Sequence, residues 1–204
     1  MKLIVAVDNE WGIGFKGDLL ARVRGDLMNF ASLTKGKVVI YGSKTLETFP
    51  EHKILKNRVN IVLSRRNNLE AEGALVAGSV DEALALARKY DTDDVFVIGG
   101  QSVYTQFLEY CDCCFVTKFI SSFEKDTFFP DLDASEEWQL AYRSSVHISD
   151  PETDSVEAPK GGSVGDYPRS ERRWPHLLRC APWRYHPCRT DELQGSERCC
   201  MVSA

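Results

Sequence analysis

The chain has no apolar run long enough to cross a membrane as a helix. Its purely apolar stretches stay short, as at Leu3–Val7 and Val95–Ile98, against the roughly 18 residues a span requires. Met1-Lys2 leads straight into a strand-like run, with no signal-type apolar region and small-residue cleavage site. This predicts a cytoplasmic protein. The seven cysteines are an odd number, which argues against a disulfide framework. Cys111-x-Cys113-Cys114 has neither metal-ligand spacing nor a histidine nearby, so no metal site is expected. His52 and His147 have no partner pattern and read as surface residues. A G-x-G-x-x-G fingerprint is missing, and no earlier glycine makes a P-loop of Gly42-Ser43-Lys44-Thr45. There is no internal repeat. The net charge of −5 gives nucleic acid no electrostatic footing.

What is present is ordinary for a globular protein: 204 residues, 43% hydrophobic and 27% charged. The acid excess lies in residues 1–155, with 24 acidic and 17 basic side chains; residues 156–204 hold 6 and 8. The first 155 residues alternate strand and helix signals. Strands are expected at Leu3–Val7, Val38–Tyr41, Val59–Leu63, Ala74–Val76, Val95–Ile98, Phe115–Ile120 and Trp138–Ser145, with Val146–Ile148 as a further candidate. Helices are expected at Gly25–Leu33, Lys44–Phe49, Val80–Tyr90 and Ser102–Tyr110; Ser79 and Glu82 offer a capping box to the third. Leu27, Phe30 and Leu33 should share the buried side of the first helix. Strands alternating with helices predict an α/β fold with a mostly parallel sheet covered on both faces. After Pro151 neither period persists. Residues 156–204 are therefore expected to be an atypical, disordered tail beside a domain of residues 1–155.

Four places could carry chemistry. Gly99-Gly100 closes a predicted parallel strand, the edge at which open α/β sheets bind ligands. Gly42-Ser43-Lys44-Thr45 leaves another strand with two hydroxyls and a cation, which suits a phosphate. Ser64-Arg65-Arg66 follows a third strand and could hold a phosphate monoester. Asp26 opens a helix, where the dipole favours its carboxylate. Two hydrogen bonds from such an acid could hold an amidine-like heterocycle. Taken singly, these are a tight turn, a capped helix, a solvated turn and a surface acid; their order along the chain is more specific.

That order resembles dihydrofolate reductase of the bacterial type. The resembling stretches are Ile4-Val5-Ala6-Val7-Asp8, Trp11-Gly12-Ile13-Gly14, Asp26-Leu27-x-x-Phe30, Val39-x-Tyr41-Gly42-Ser43-Lys44-Thr45, Asn57-Arg58-x-Asn60-Ile61-Val62-Leu63-Ser64, Val97-Ile98-Gly99-Gly100-x-x-Val103-Tyr104 and Asp126-Thr127-Phe128-Phe129-Pro130. The resemblance implies a three-layer α/β/α fold and NADPH-dependent reduction of dihydrofolate to tetrahydrofolate by a monomer, with neither nucleic acid nor membrane as partner. It implies that Asp26 is the active-site carboxylate and Thr117 its orienting hydroxyl. Val5, Ala6, Leu27, Phe30, Phe49, Leu55 and Ile98 would line the substrate site, and Arg58 would pair with the substrate's α-carboxylate. Ala6, Ile13, Gly14, Gly42, Ser43, Lys44, Thr45, Leu63, Ser64, Arg65, Gly99, Gly100, Gln101, Ser102, Val103 and Tyr104 would contact NADPH. Asp8–Leu20 would be a lid.

The chain departs from the family pattern at three points. Leu20-Ala21 stands where many members have Pro-Trp. Ser43 stands where a phosphate-binding arginine is frequent. Pro159 and Gly161-Gly162 fall where the family's final hairpin brings its last strand into the sheet, so that strand is expected to be missing. Two rival readings follow: a homologue that binds ligand without turnover, and a riboflavin-pathway reductase of the same fold.

Overall fold

The computed structural model describes residues 1–66, 69, 71–144 and 198–203. In chain order the elements are β1 (Lys2–Val7), β2 (Gly12–Phe15), β3 (Asp18–Leu19), α1 (Arg24–Thr34), β4 (Val38–Gly42), α2 (Ser43–Glu47), β5 (Val59–Leu63), β6 (Leu75–Ala77), α3 (Val80–Ala87), β7 (Val95–Gly99), α4 (Gln101–Phe107), β8 (Cys113–Lys118), β9 (Thr127–Phe128), β10 (Trp138–Arg143) and β11 (Arg198–Ser203). The main sheet runs β10-β11-β8-β1-β7-β4-β5-β6 among the described residues. Every pairing in it is parallel. The strands therefore end along one common edge, at Lys118, Val7, Gly99, Gly42 and Leu63.

Alternation along the strands divides the core. Val5, Ile40, Val97 and Val116 face Ala83 and Ala87 of α3 and Val103 and Phe107 of α4. Ile4, Val39, Val62, Phe96 and Phe115 face the other way, toward Phe30 and Leu33 of α1 and Leu46 of α2. This is the expected helix–sheet–helix layering. Ser79 caps α3 by accepting from the Glu82 N–H, and Glu82 Oε2 accepts from the Gly78 N–H at 2.7 Å.

Several expectations are corrected. Leu27 is 42% exposed and belongs to no core cluster, so the buried side of α1 is carried by Phe30, Leu33 and Thr34. The helix expected to run to Tyr110 stops at Phe107, and a 3₁₀ turn takes Leu108–Tyr110. Sequence reading also gave no sign of the small antiparallel sheet β3-β2-β9, which pins the Gly12–Leu19 segment to Thr127–Phe128.

The largest correction concerns the tail. Arg198–Ser203 is a strand, inserted between β8 and β10 and parallel to both. The expectation of a strandless tail fails for these six residues. Four consecutive apolar residues, Cys199-Cys200-Met201-Val202, suffice for a short buried-type strand. Residues 156–197, the Val146–Ile148 candidate and His147 lie outside the described residues, as does the place near residue 160 where the family's last strand would fall. No helix among the described residues is long and apolar enough to cross a membrane.

Candidate active site

Asp26 sits in the first turn of α1, which starts at Val23 without a side-chain cap. Thr117 lies one residue before the end of β8, in register with Ala6 of β1, and is 4% exposed. Its hydroxyl donates to the Asp26 carboxylate. Burial pushes the Asp26 pKa up from 3.8 to about 6, and the Thr117 hydrogen bond only partly opposes this. An acid poised near neutrality at the mouth of a sheet edge can accept hydrogen bonds from a heterocycle and influence its protonation. Val5 (6% exposed), Ala6 and Ile98 (9%) occupy neighbouring strand positions.

Further along α1, Phe30 joins Phe49 and Leu55 around one core cluster. Phe49 packs edge-on against Tyr41, with ring centroids 5.0 Å apart. Arg58 lies over the Phe30 ring at 5.7 Å. Its Nε donates to Thr34 Oγ1 at 2.9 Å, and an Nη donates to the Lys56 carbonyl at 2.8 Å. Among the described residues, these two bonds engage two of the five guanidinium N–H donors and fix the fork. Thr34 is itself held by donating to the Phe30 carbonyl at 2.7 Å. The 55–58 segment is pinned by Asn60, 1% exposed, whose side chain accepts from the Leu55 N–H and the Tyr41 hydroxyl and donates to the Leu55 and Arg58 carbonyls. Thr34 and Asn60 escaped sequence reading as site-building residues. Their only signal was a polar residue at a helix end and another inside an apolar strand.

The glycine-marked strand ends converge. Gly99 has φ +119, and a Cβ there would lie 3.1 Å from the Tyr104 ring. A Cβ on Gly100 would lie 3.3 Å from Thr45 Oγ1, and one on Gly42 3.1 Å from Val103. The backbone at Gly99-Gly100 is therefore packed so closely against α2 and α4 that side chains would fill the space. Tyr104 donates to the Ile4 carbonyl at 2.7 Å, which fixes α4 to β1. Leu63 pairs with Gly42 in register, which places Ser64 next to the start of α2. Ser64 Oγ accepts from the Arg66 N–H at 3.1 Å; Lys44, Arg65 and Ser102 are exposed and Ser43 partly buried. Two strand-end hydroxyls, a lysine and an arginine around bare backbone form a donor set suited to a phosphorylated dinucleotide. Gln101 is engaged elsewhere: its Oε1 accepts from the Phe128 N–H at 3.0 Å.

Residues 8–20, the segment expected to act as a lid, are anchored at Asp8. Asp8 is fully buried and accepts from the Gly12 N–H at 2.9 Å, the Phe123 N–H at 3.1 Å and Lys125 Nζ at 2.6 Å. Burial alone would raise its pKa, but the Lys125 ammonium and the Phe123, Gly12 and Glu10 N–H groups outweigh it and hold the carboxyl below its ordinary value. Lys125 also pairs with Glu10. Ile13 and Gly14 ride on β2 beyond this anchor, and Gly14 accepts from the Asp126 N–H at 3.1 Å. Leu20 and Ala21, at the departure from the family pattern, are buried, and Ala21 packs with Val23 and Phe119.

The chain is similar to several known proteins. Residues 1–158 match the family described as Dihydrofolate reductase. The dihydrofolate reductase of Staphylococcus haemolyticus is 35% identical over 130 residues, covering 64% of this chain and 76% of that protein. That of Sus scrofa is 36% identical over 162 residues, covering 72% and 87%. A solved structure of dihydrofolate reductase from Enterococcus faecalis complexed with NADP(H) superposes with a TM-score of 0.59 at 37% identity, over 64% of this chain and 76% of that one. The chain belongs to the dihydrofolate reductase family.

Proposed function

We propose that the protein reduces dihydrofolate to tetrahydrofolate with NADPH. The observation that carries this reading is the half-buried Asp26 carboxyl, bonded to Thr117 and raised by desolvation to about 6, at the edge where Gly99-Gly100 lies bare against α2 and α4. Asp26 accepts from the 2-amino group and N3 of the pterin and favours the protonated state at N5. Thr117 fixes the carboxylate's orientation. Val5, Ala6, Ile98, Leu27, Phe30, Phe49 and Leu55 exclude water along the pterin and benzoyl groups, and Arg58 takes the α-carboxylate through its remaining donors. NADPH, when bound, supplies the hydride. Ser43, Lys44, Thr45, Ser102 and Val103 hold its phosphates, Ser64 and Arg65 its 2′-phosphate, and Gly42, Gly99 and Gly100 give it room. Ile13, Gly14, Leu63, Gln101 and Tyr104 complete its walls. The protein's contribution is positioning, water exclusion and electrostatic bias, with the lid closing over the cleft.

The experiment is an assay of the full chain with dihydrofolate and NADPH, following loss of the reduced nicotinamide's absorbance. Turnover dependent on both ligands is expected. Saturable binding of both without turnover would select the reading of a ligand-binding homologue. Turnover of a riboflavin precursor in place of dihydrofolate would select the other reductase.

A further inference from the structure

Arg22 joins two parts of the site that no strand pairing connects. Its Nη2 donates to Asp18 Oδ1 at 2.6 Å and reaches the Thr48 carbonyl at 3.5 Å. Asp18 belongs to β3, which pairs only with β2 among the described residues. Thr48 closes α2, whose first residues are read above as cofactor contacts, and it precedes Phe49 of the substrate wall. The carbonyls that end a helix lack partners within it, and a basic side chain is one of the groups that can satisfy them. On the other side, Asp18 Oδ1 also accepts from the Leu19 N–H at 2.8 Å, so the carboxylate is fixed on the β2–β3 hairpin. An exposed ion pair four residues apart would contribute little. This one lies outside any helix, and its side chains are only 22% and 15% exposed, so solvent screens it weakly. Arg22 stands between Ala21 and Val23, which are buried together with Phe119, and that packing fixes where its side chain starts. We propose that Arg22 is a positioning residue for the reduction: it straps the β2–β3 hairpin of the lid to the end of α2 and so slows the escape of bound NADPH. This rests on the reading of both elements as walls of the cofactor site. Arg22 touches neither ligand; it acts through Asp18 and Thr48.

The test compares the full chain with Arg22→Met, Arg22→Lys, Asp18→Asn and the double variant Arg22→Met/Asp18→Asn. In the ligand-free protein, hydrogen exchange at the Phe15–Leu19 amides should quicken by at least about tenfold in Arg22→Met, while the amides of β5 and β7 keep the parent's rates. NADPH dissociation, followed by its fluorescence during a chase with excess oxidised cofactor, should also quicken by at least about tenfold, since a lost charge-assisted bond acts mainly on dissociation. The KM for NADPH should rise by a larger factor than kcat changes. Both bonds run through one nitrogen, so the double variant should release NADPH no faster than Arg22→Met alone. A lysine ammonium is likewise a single donor nitrogen, so Arg22→Lys should release NADPH more slowly than Arg22→Met. Parental rates of hairpin exchange and NADPH release in Arg22→Met, exchange raised equally across the whole sheet, or additive effects in the double variant would overturn the proposal. Faster hairpin exchange and NADPH release in Arg22→Met, in a chain that turns over no dihydrofolate, would uphold the strap and overturn only the assigned reaction.

Discussion

Replacing Asp26 by Asn should weaken the enzyme and strengthen the fold at once. The folded protein holds the Asp26 carboxyl at a pKa of about 6 against an ordinary 3.8. The folded state therefore binds this proton more tightly than the unfolded chain does. Stability is fully retained where both states are protonated, falls as pH rises from about 4 to about 6, and levels off above that. At about pH 7.5, keeping the half-buried, desolvated carboxylate ionised costs up to about 3 kcal/mol. Asn keeps the shape and can still accept from Thr117, but carries no charge to desolvate. The variant should thus gain about 1–3 kcal/mol in urea unfolding at about pH 7.5, and the gain should shrink toward zero below about pH 4. Its turnover should fall about 10²-fold or more, the scale of a positioned acid–base group. NADPH affinity should hardly change, because the proposed function puts this carboxyl against the pterin and not the cofactor. A variant no more stable than the parent at neutral pH, or one whose advantage grows on acidification, would refute the burial argument. Unchanged turnover would refute the catalytic assignment.

Other expectations are as specific. Arg58→Ala should raise the KM for dihydrofolate by about 1.5–3 kcal/mol, a factor of about 10–150, yet leave a substrate without the glutamate moiety nearly unaffected; equal effects on both would remove Arg58 from the α-carboxylate. Arg65→Ala should narrow the NADPH over NADH ratio of kcat/KM by about tenfold, or ~1.4 kcal/mol, and an unchanged ratio would move the 2′-phosphate contact to another group. Lys125→Met strands the buried Asp8 charge and should cost about 3–5 kcal/mol in urea unfolding near neutrality. Because Asp8 titrates below its ordinary value in the folded protein, that loss should fade as pH falls below about 4; a deficit independent of pH would point to packing instead.

Much of the fold was legible because its strands carry their own signals. Val38–Tyr41 and Val95–Ile98 are short apolar runs stopped by glycine, and each glycine marks a place where a helix meets the sheet edge. The clustering of Gly42, Gly99 and Gly100 with Thr45 and Val103 is the spatial form of that pattern. Asp26 was readable as a helix-start acid, but its bond to Thr117 was legible only through the family resemblance, because no local pattern reports β8 beside β1 and α1 across their ends. Leu27 was misread because helical spacing gives a face and not what lies opposite it. The β3-β2-β9 sheet was invisible because Gly12–Phe15 and Thr127–Phe128 pair in segments of four and two residues, too short to show a period. Thr34 and Asn60 act through hydrogen bonds to distant backbone, and no local pattern reports those.

The tail shows a further limit of pattern reading. A hairpin would bring the strand after β10 back antiparallel, through a short loop. The strand beside β10 is instead parallel to it, and parallel neighbours need a long crossover. The chain between Arg143 and Arg198 is long enough to provide one. Length alone would not seat it: a strand beside β8, which is buried at five successive positions, is favoured by apolar residues at successive positions. Within residues 156–204, Cys199–Val202 is the longest unbroken apolar run. A sheet that ended at β8 would present an open row of N–H and C=O groups next to Cys113–Thr117, the residues that carry the Asp26 anchor. Pairing by β11 from Cys199 to Ser203 covers that row, with Ser203 opposite Thr117. β11 thus pairs directly with the strand position of Thr117, the hydroxyl that the proposed function uses to orient Asp26. Deleting residues 198–204 should therefore reduce turnover as well as stability, whereas a substitution at the exposed far edge, such as Val76→Thr, should leave turnover near the parent's. If the truncated chain turned over normally while unfolding more easily, the support that β11 gives to Thr117 would be structural alone.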